Sequence, residues 1–303
     1  MSTKRNGINN LSSNYMSIRV LLQHQTKYVY ESSVYLSPQL IRLKPAVHCR
    51  SSIEAYSFIV SPANHHIHWQ QDPFGNFVAR IDFVGPVHEL VIEVKLIVNL
   101  VKINPFDFFV ADYVQFFPFE YEAQLKKDLT PYLEITDKGP RMLQLLEKAD
   151  LSKRGIIDFL VLINQFVYQN ISYTSRLQPG VQTSEESLEK ALGSCRDSAW
   201  LLVQILRNLG LAARFVSGYI VQLGVDSTTN EAPQQDSSDL HAWTEVYIPG
   251  AGWIGLDPTG GLLAAEGHIP LACTPDTAGA APLTGTSGVS NTNFSYSNSI
   301  SRF

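Results

Sequence analysis

Cys195, His241 and Asp257 are the residues of this 303-residue chain whose types and spacing suit covalent catalysis. A cysteine attacks as its thiolate, and the first turn of a helix and a neighbouring imidazole both stabilise that anion. Ser194 and Asp197 have the spacing of a helix N-cap, and the apolar residues after them recur three and four apart. Cys195 is therefore predicted to lie in the first turn of a buried helix.

Two predicted strands carry the other two side chains. His241 begins an apolar-rich segment that ends at Ile248, and Asp257 follows a second such segment after the turn sequence Pro249-Gly250-Ala251-Gly252. In a hairpin these two residues, sixteen positions apart, lie near corresponding ends of adjacent antiparallel strands. A carboxylate beside the second ring nitrogen fixes the tautomer and orientation of a histidine. The pattern predicts a thiol triad.

The hydrophobic period divides the chain into regions that must position these residues. Strand-like alternation runs over residues 18–103, with Pro and Gly breakers at spacings that suit a β-sandwich. Helical spacing replaces it over residues 120–129, 141–148 and 155–169. We therefore predict an α+β fold with a flexible arm at residues 1–16, a β-rich domain at 17–104, a helical connector at 105–180 and a core at 181–303 that ends in a strand.

Two further patterns lie close to the predicted triad. Thr183 and Glu186 have the spacing of a capping box, which predicts a short helix just before Cys195. Residues 224–238 contain almost no apolar side chain and end just before His241. Their composition predicts a mobile loop that gates the site.

The ordered motifs resemble the transglutaminase-like superfamily. The β-rich region resembles the N-terminal domain of its bacterial branch, and the matches together span about residues 16–272. The core resemblance rests on Gly193-Ser194-Cys195-Arg196-Asp197, Leu209-Gly210-Leu211-Ala212-Ala213-Arg214-Phe215-Val216-Ser217-Gly218-Tyr219, His241-Ala242-Trp243-Thr244-Glu245-Val246 and Leu256-Asp257-Pro258-Thr259; the N-terminal resemblance rests on Gln71-Asp72-Pro73-Phe74-Gly75-Asn76 and Asn104-Pro105-Phe106-Asp107-Phe108-Phe109.

The resemblance implies a papain-like core and an active enzyme, since every triad position is filled. It implies Cys195 as nucleophile, His241 as general base and acid, and Asp257 as the residue that orients the imidazole. Bacterial members are commonly described as candidate cysteine proteases, so hydrolysis of peptide or isopeptide amides is expected, with amine transfer to protein glutamine as the alternative. Further candidates for oxyanion stabilisation or for the walls of the groove are Tyr173, Gln182, Trp243 and Trp253.

Composition excludes several other classes. A net charge of −5 opposes binding to a phosphate backbone, so nucleic acid is not an expected partner. The most hydrophobic stretch, residues 90–101, is interrupted by charged residues and is too short for a membrane helix. With three cysteines and no apparent export signal, we expect a cytoplasmic protein with free thiols, no cofactor and a protein or peptide substrate; the oligomeric state stays open.

Some residues and patterns of this sequence have other interpretations. His65, His66 and His68 with Asp72 suggest a zinc site, but no further ligand has suitable spacing, so no metal is expected. The remaining thiols, Cys49 and Cys273, are expected to be inert, whereas Asp197 and Glu245 are expected to cap a helix and to form buried hydrogen bonds. A non-catalytic binding scaffold is the last alternative, and it would be favoured by a missing triad residue; none is missing.

Overall fold

The computed structural model describes residues 17–148, 151–224 and 235–303. The predicted arm at residues 1–16 lies outside the described residues, as does most of the predicted loop, residues 225–234. Mixed helices and antiparallel sheets form an α+β fold, as the sequence predicts. None of the helices in the described part of the chain combines the length and the apolar character needed to cross a bilayer.

Two four-stranded antiparallel sheets form the N-terminal β-sandwich and bury one shared apolar cluster. Alternation drives this packing: in the sixth strand every second residue from Leu90 to Leu100 is buried, as the period of two predicts. The six N-terminal strands are β1 (Ile18–Val34), β2 (Gln39–Ile41), β3 (Ser52–Ser61), β4 (His65–Gln71), β5 (Phe77–Phe83) and β6 (Val87–Leu100).

The helical region and the core follow the sandwich. A 3-10 helix spans Asp112–Val114, and the α-helices are α1 (Ala123–Asp128), α2 (Thr130–Leu133), α3 (Pro140–Lys148), α4 (Ile156–Asn170), α5 (Ser184–Lys190) and α6 (Cys195–Asn208). The remaining strands are β7 (Phe116–Phe117), β8 (Arg154–Gly155), β9 (Ser172–Tyr173), β10 (Leu192–Gly193), β11 (Ala213–Gln222), β12 (Ser237–Ile248), β13 (Gly252–Asp257), β14 (Leu262–Leu263), β15 (His268–Thr274), β16 (Leu283–Thr284) and β17 (Thr292–Arg302).

The core sheet has the order β14-β13-β12-β11-β15, and α6 packs on one of its faces. On β12, Ala242 and Val246 join the apolar cluster beneath α6, and between them the hydroxyl of Thr244 donates to the carbonyl of Ala199 at 2.8 Å. Since successive strand residues point to opposite faces, His241 and Trp243 lie on the other face. The site is therefore built at the end of the sheet where α6 begins.

The last strand does not pair within the region that the sequence predicts for it. The predicted core at 181–303 includes this strand, but β17 pairs with β1 of the N-terminal sheet, from Val20 opposite Arg302 to Tyr30 opposite Thr292. β16 likewise pairs with β2. The edge of β1 offers a long row of backbone donors and acceptors, and the weak polar alternation of β17 does not specify a partner in the sequence. The end of the described chain thus completes the sandwich.

Candidate active site

Cys195 is the first residue of α6, as predicted, and the cap in front of it is tightly bonded. The carboxylate of Asp197 accepts the backbone N–H and the hydroxyl of Ser194 at 2.8 and 2.7 Å, and it accepts two N–H groups of Arg176 at 2.9 and 3.1 Å. Burial would raise the pKa of Asp197, but Arg176 and the backbone donors outweigh it, so the pKa lies below its ordinary value. The carboxylate therefore stays charged and fixes the helix start.

The β12–β13 hairpin brings His241 and Asp257 together. Thr244 pairs with Leu256, so Asp257 lies opposite Trp243 and diagonal to His241 on the same face. His241 Nε2 is 2.9 Å from Asp257 Oδ2. Since a carboxylate can only accept, Nε2 carries a proton and donates it to Asp257. This distance confirms the prediction that the two side chains lie close together.

Cys195 acts on the same imidazole. Because Nε2 of His241 donates to Asp257, Nδ1 is the nitrogen left free to serve the thiol. Burial alone would lower the pKa of His241, but Asp257 and then Cys195 raise it well above its ordinary value. The imidazole is therefore a cation at neutral pH, held by the carboxylate.

The carboxylate of Asp257 is fully occupied by N–H donors. Oδ1 accepts the backbone N–H of Thr259 at 2.9 Å and of Gly260 at 3.3 Å, while Oδ2 accepts His241 and also His268, whose Nε2 is 3.1 Å away. Burial would raise the pKa of Asp257, but the two imidazoles hold it well below its ordinary range. Asp257 is therefore a charged, fixed acceptor at neutral pH.

Two residues that hold Asp257 were missed by the sequence analysis. Asn164 on α4 is fully buried, and its Nδ2 donates to the carbonyls of Asp257 and Leu262 at 3.3 and 3.1 Å. His268 begins β15, a strand that the sequence analysis did not predict. Neither residue lies in a motif, and their contacts join positions 93 and 11 residues apart along the chain.

The comparison with known proteins follows from this geometry. Sequence models of two families match the chain, the bacterial transglutaminase-like N-terminal region over residues 20–99 and the transglutaminase-like superfamily over residues 146–258. The chain belongs to the transglutaminase-like superfamily. The second match contains all three residues of the predicted triad.

Several proteins are similar to this transglutaminase-like protein over part or most of its length. Uncharacterised proteins of Mycobacterium bovis and Mycobacterium tuberculosis are 26% identical over 288 residues, covering 88% of this chain and 87% of theirs. A protein-glutamine gamma-glutamyltransferase of Pseudomonas aeruginosa is 31% identical over 103 residues, which is 32% of this chain and 15% of that protein. A crystal structure from Cytophaga hutchinsonii, described as a candidate cysteine protease, has a TM-score of 0.67 at 19% identity and covers 94% of this chain and 91% of its own. It shows the same fold.

The two predicted groove tryptophans have different positions in this transglutaminase-like core. Trp243 is buried, and its ring lies 6.4 Å from the His241 ring between centroids. A Cβ on Gly218 would lie 2.5 Å from the Trp243 ring, which explains the glycine beside it. Trp253 pairs with Tyr247 at the far end of the hairpin, about 13 Å along the strand from Asp257. Both tryptophans line one cavity together with His268, and their role in the substrate groove stays a prediction.

The two predicted oxyanion donors also differ. Tyr173 on β9 pairs with Gly193, two residues before Cys195, and is 61% exposed. Burial, and then the nearby Cys195, raise the pKa of the Tyr173 phenol, so the phenol keeps its proton and can donate. The backbone N–H of Gln182 donates to Asp197 at 2.7 Å, and its side-chain Nε2 lies 3.5 Å from the same carboxylate. Gln182 is therefore engaged with the helix cap.

A second thiol and imidazole meet elsewhere in the core. Cys273 Sγ is 3.5 Å from His48 Nε2, and the same nitrogen lies 3.3 Å from Nη2 of Arg214. Arg214 forms a buried ion pair with Glu245 at 2.6 Å and stacks 4.2 Å from the ring centroid of Trp253. Burial raises the pKa of Cys273, as it does for Cys49.

Two clusters among the described residues have the composition of a metal site, namely His241, Asp257 and His268, and His48, Glu245 and Cys273. In the first, Nδ1 of His268 accepts the backbone N–H of Ala265 at 3.3 Å, so Nε2 holds its proton and has no lone pair for a metal. In the second, the guanidinium of Arg214 already lies against Glu245. Both clusters fit hydrogen bonding better than metal binding.

The histidines considered for zinc lie in neither cluster. His66 and His68 are exposed on β4, where they pair opposite Asp82 and Arg80 on β5. The cationic side chain of Arg80 opposes a metal ion beside His68.

Proposed function

We propose that this protein is a thiol hydrolase that cleaves peptide or isopeptide amide bonds through Cys195, His241 and Asp257. The observation that carries the proposal is the contact of His241 with Asp257 at 2.9 Å, together with Cys195 at the start of α6 among the groups that raise the pKa of the same imidazole. This arrangement gives a thiolate and an imidazolium that a fixed carboxylate orients.

Acylation begins when the Cys195 thiolate attacks the carbonyl carbon of the substrate. The tetrahedral intermediate collapses as His241 donates its Nδ1 proton to the departing amine, which leaves a thioester on Cys195. Asp257 does not exchange a proton in this step. Its role is to keep Nε2 protonated and Nδ1 directed at the sulfur.

The oxyanion of the intermediate needs donors that are already in place. The backbone N–H of Cys195, at the first turn of a 14-residue helix, is one proposed donor, because its direction and the helix dipole both favour negative charge. The protonated phenol of Tyr173 is the second proposed donor, since Tyr173 pairs with Gly193, two residues before Cys195. Gln182 is less suited because its amide is directed at Asp197.

Deacylation decides between hydrolysis and transfer. Water attacks the thioester, His241 takes its proton through Nδ1, and the acid product leaves with Cys195 regenerated. Cys195 itself is only partly buried, and Tyr173 on the preceding segment is exposed, which favours access of water to the thioester. An enzyme that transfers acyl groups to amines must exclude water, so an open site favours hydrolysis.

Amine transfer is the second candidate function. It is favoured by the similarity of a 103-residue segment to the protein-glutamine gamma-glutamyltransferase of Pseudomonas aeruginosa. In that case a primary amine would replace water in the second step and an isopeptide bond would form. The chemistry of acylation is the same in both functions.

One experiment separates these functions. The protein is incubated with a glutamine-containing peptide, with and without a fluorescent primary amine, and ammonia release, backbone cleavage and amine incorporation are followed by mass spectrometry. Cys195→Ala is the negative control, and Cys273→Ala is the matched control for loss of a thiol. Cys195-dependent deamidation or cleavage without incorporation supports the hydrolase.

The other outcomes are equally informative. Incorporation of the amine that disappears in Cys195→Ala would establish a transferase instead. Turnover that survives in Cys195→Ala would contradict both functions. Silence in every channel, together with a Cys195 that reacts no faster than an ordinary thiol, would favour the non-catalytic scaffold.

A further inference from the structure

His268 is a second imidazole at the Asp257 carboxylate, with its ring centroid 6.1 Å from that of His241. Its Nε2 is 3.1 Å from Oδ2, the same oxygen that accepts His241 at 2.9 Å. The His268 side chain is 13% exposed, and its ring packs edge-on against Trp243 with centroids 5.2 Å apart. Two imidazoles thus hold one carboxylate oxygen.

The tautomer of His268 is fixed by the backbone. Nδ1 accepts the N–H of Ala265 at 3.3 Å and must therefore be unprotonated, which places the single proton of the neutral ring on Nε2. That proton is directed at Asp257. His268 is thus set up to donate to the carboxylate without exchanging a proton.

The loop that presents His268 is held by the sandwich and by β11. The carbonyl of Glu266 accepts the hydroxyl of Ser51 at 2.8 Å, and its carboxylate accepts the N–H of Ile103 at 3.1 Å. The carbonyl of Gly267 accepts the N–H of Val221 at 2.8 Å. These bonds fix the residues immediately before His268, so the ring has a defined position relative to Asp257.

We propose that His268 is a positioning residue for the triad, holding the Asp257 carboxylate in the orientation at which its Oδ2 accepts from His241. This inference rests on the proposed function. A freely rotating carboxylate would meet His241 in several geometries, whereas donors on both oxygens allow one. Orientation of the imidazole in turn depends on that single geometry.

The test uses two substitutions with opposite hydrogen-bonding capacity. His268→Gln places an amide N–H near the position of Nε2, and His268→Leu fills similar space without a donor. The second-order rate of Cys195 alkylation by iodoacetamide is measured from pH 4 to pH 9 in the full chain, with Cys195→Ala as the blank and thermal unfolding as the measure of stability. This readout requires no substrate, so it separates failure of the inference from failure to find a cleavable peptide.

A positioning role has a specific signature. His268→Leu is expected to alkylate roughly tenfold more slowly at pH 6, with the acidic limb of its profile moved to higher pH, because the thiolate–imidazolium pair loses its oriented carboxylate. His268→Gln is expected to restore most of the rate. With any peptide that is turned over, kcat should fall in the Leu variant while KM stays nearly constant.

Several results would overturn the inference. An unchanged profile in His268→Leu, a shift of its acidic limb to lower pH, or equal loss in both variants would each show that His268 does not orient Asp257. Nitrogen-15 NMR of the wild-type histidines provides a measurement that does not depend on either variant folding. It should show His268 protonated at Nε2 and bare at Nδ1, and the opposite tautomer would contradict the proposal.

Discussion

Among the described residues, two thiol–imidazole pairs differ in the groups that surround them. His241 donates to the carboxylate of Asp257, and against the effect of burial Asp257 and Cys195 raise its pKa. Cys273 and His48 are 3.5 Å apart, and the nitrogen that faces this sulfur also faces the guanidinium of Arg214. Burial lowers the pKa of His48, while Glu245 raises it and Arg214 lowers it.

The groups around each pair therefore decide what a cysteine and a histidine can do together. An anion behind the imidazole favours its charged form and so supports a thiolate in front of it. At His48 the charges of Glu245 and Arg214 oppose each other and burial lowers the pKa of the ring, while the buried thiol of Cys273 keeps its own proton. The distance between sulfur and nitrogen is a poor guide to reactivity unless burial and the neighbouring charges are also known.

The largest expected effect separates the two thiols by substitution. Cys195→Ala should decrease turnover on the order of 10⁵-fold, because the covalent step has no other nucleophile. Cys273→Ala should leave kcat/KM within about twofold, since that thiol stays protonated. Steady-state kinetics on a peptide that the wild-type protein turns over checks both, and a large loss in Cys273→Ala would break the distinction between the pairs.

The next largest effect separates the carboxylate of Asp257 from that of Glu245. Asp257→Asn should decrease kcat by about 10²- to 10⁴-fold, because its amide NH₂ would face N–H donors that now occupy both oxygens. Glu245→Gln is the matched control, since that carboxylate pairs with Arg214 and not with an imidazole of the triad. Equal activity in the two variants would show that Asp257 does not orient His241.

Alkylation compares the thiols without any substrate. At pH 6 iodoacetamide should modify Cys195 at least about a hundredfold faster than Cys49 or Cys273, because a thiolate is favoured beside an imidazolium and both other thiols are held protonated by burial. Peptide mapping by mass spectrometry gives the three rates. Similar rates at all three sites would contradict the proposed thiolate–imidazolium pair.

The next prediction concerns the contribution of the buried Arg214–Glu245 ion pair to the free energy of unfolding. Arg214→Leu should lower the free energy of unfolding by roughly 3–5 kcal/mol, since Glu245 would remain charged and buried without a partner. Urea denaturation measures the loss. The double variant Arg214→Leu, Glu245→Leu should recover much of it, and failure to recover would assign the loss to packing.

The smallest effect is the pH dependence of folding. The pKa of Asp257 is lowered in the folded state, so its contribution to stability is present above its unfolded value of 3.8 and is lost as the pH falls below it. Thermal unfolding midpoints between pH 7 and pH 2 should therefore decrease less steeply in Asp257→Asn than in the wild type. Parallel curves would indicate that other carboxylates carry the acid sensitivity.

Local patterns predicted the parts of the site that depend on short stretches of chain. The start of α6 follows from the Ser194–Asp197 spacing, and the capping box at Thr183 is present with both of its bonds. The meeting of His241 and Asp257 follows from the length of one hairpin. Each of these depends on contacts within about twenty residues.

The missed parts depend on contacts that no local pattern encodes. β15 contains Pro270, has no alternation in burial and follows a turn, so the sequence does not distinguish it from the loop region after it. His268 and Cys273 on that strand could not be placed as a result. His48 reaches Cys273 from the sandwich, 225 residues away along the chain. Sequence motifs therefore predicted the reacting groups better than the residues that hold them.

The pairing of β17 with β1 has a consequence for synthesis on the ribosome. β1 emerges well before β17, so Val20 cannot meet Arg302 until that later strand has been translated. At about 5–20 residues per second this delay is roughly 15 to 55 s, during which an edge of the sandwich is open to other strands. The nascent chain should therefore stay prone to aggregation, and dependent on chaperones, even after the segment that contains Cys195, His241 and Asp257 has been made.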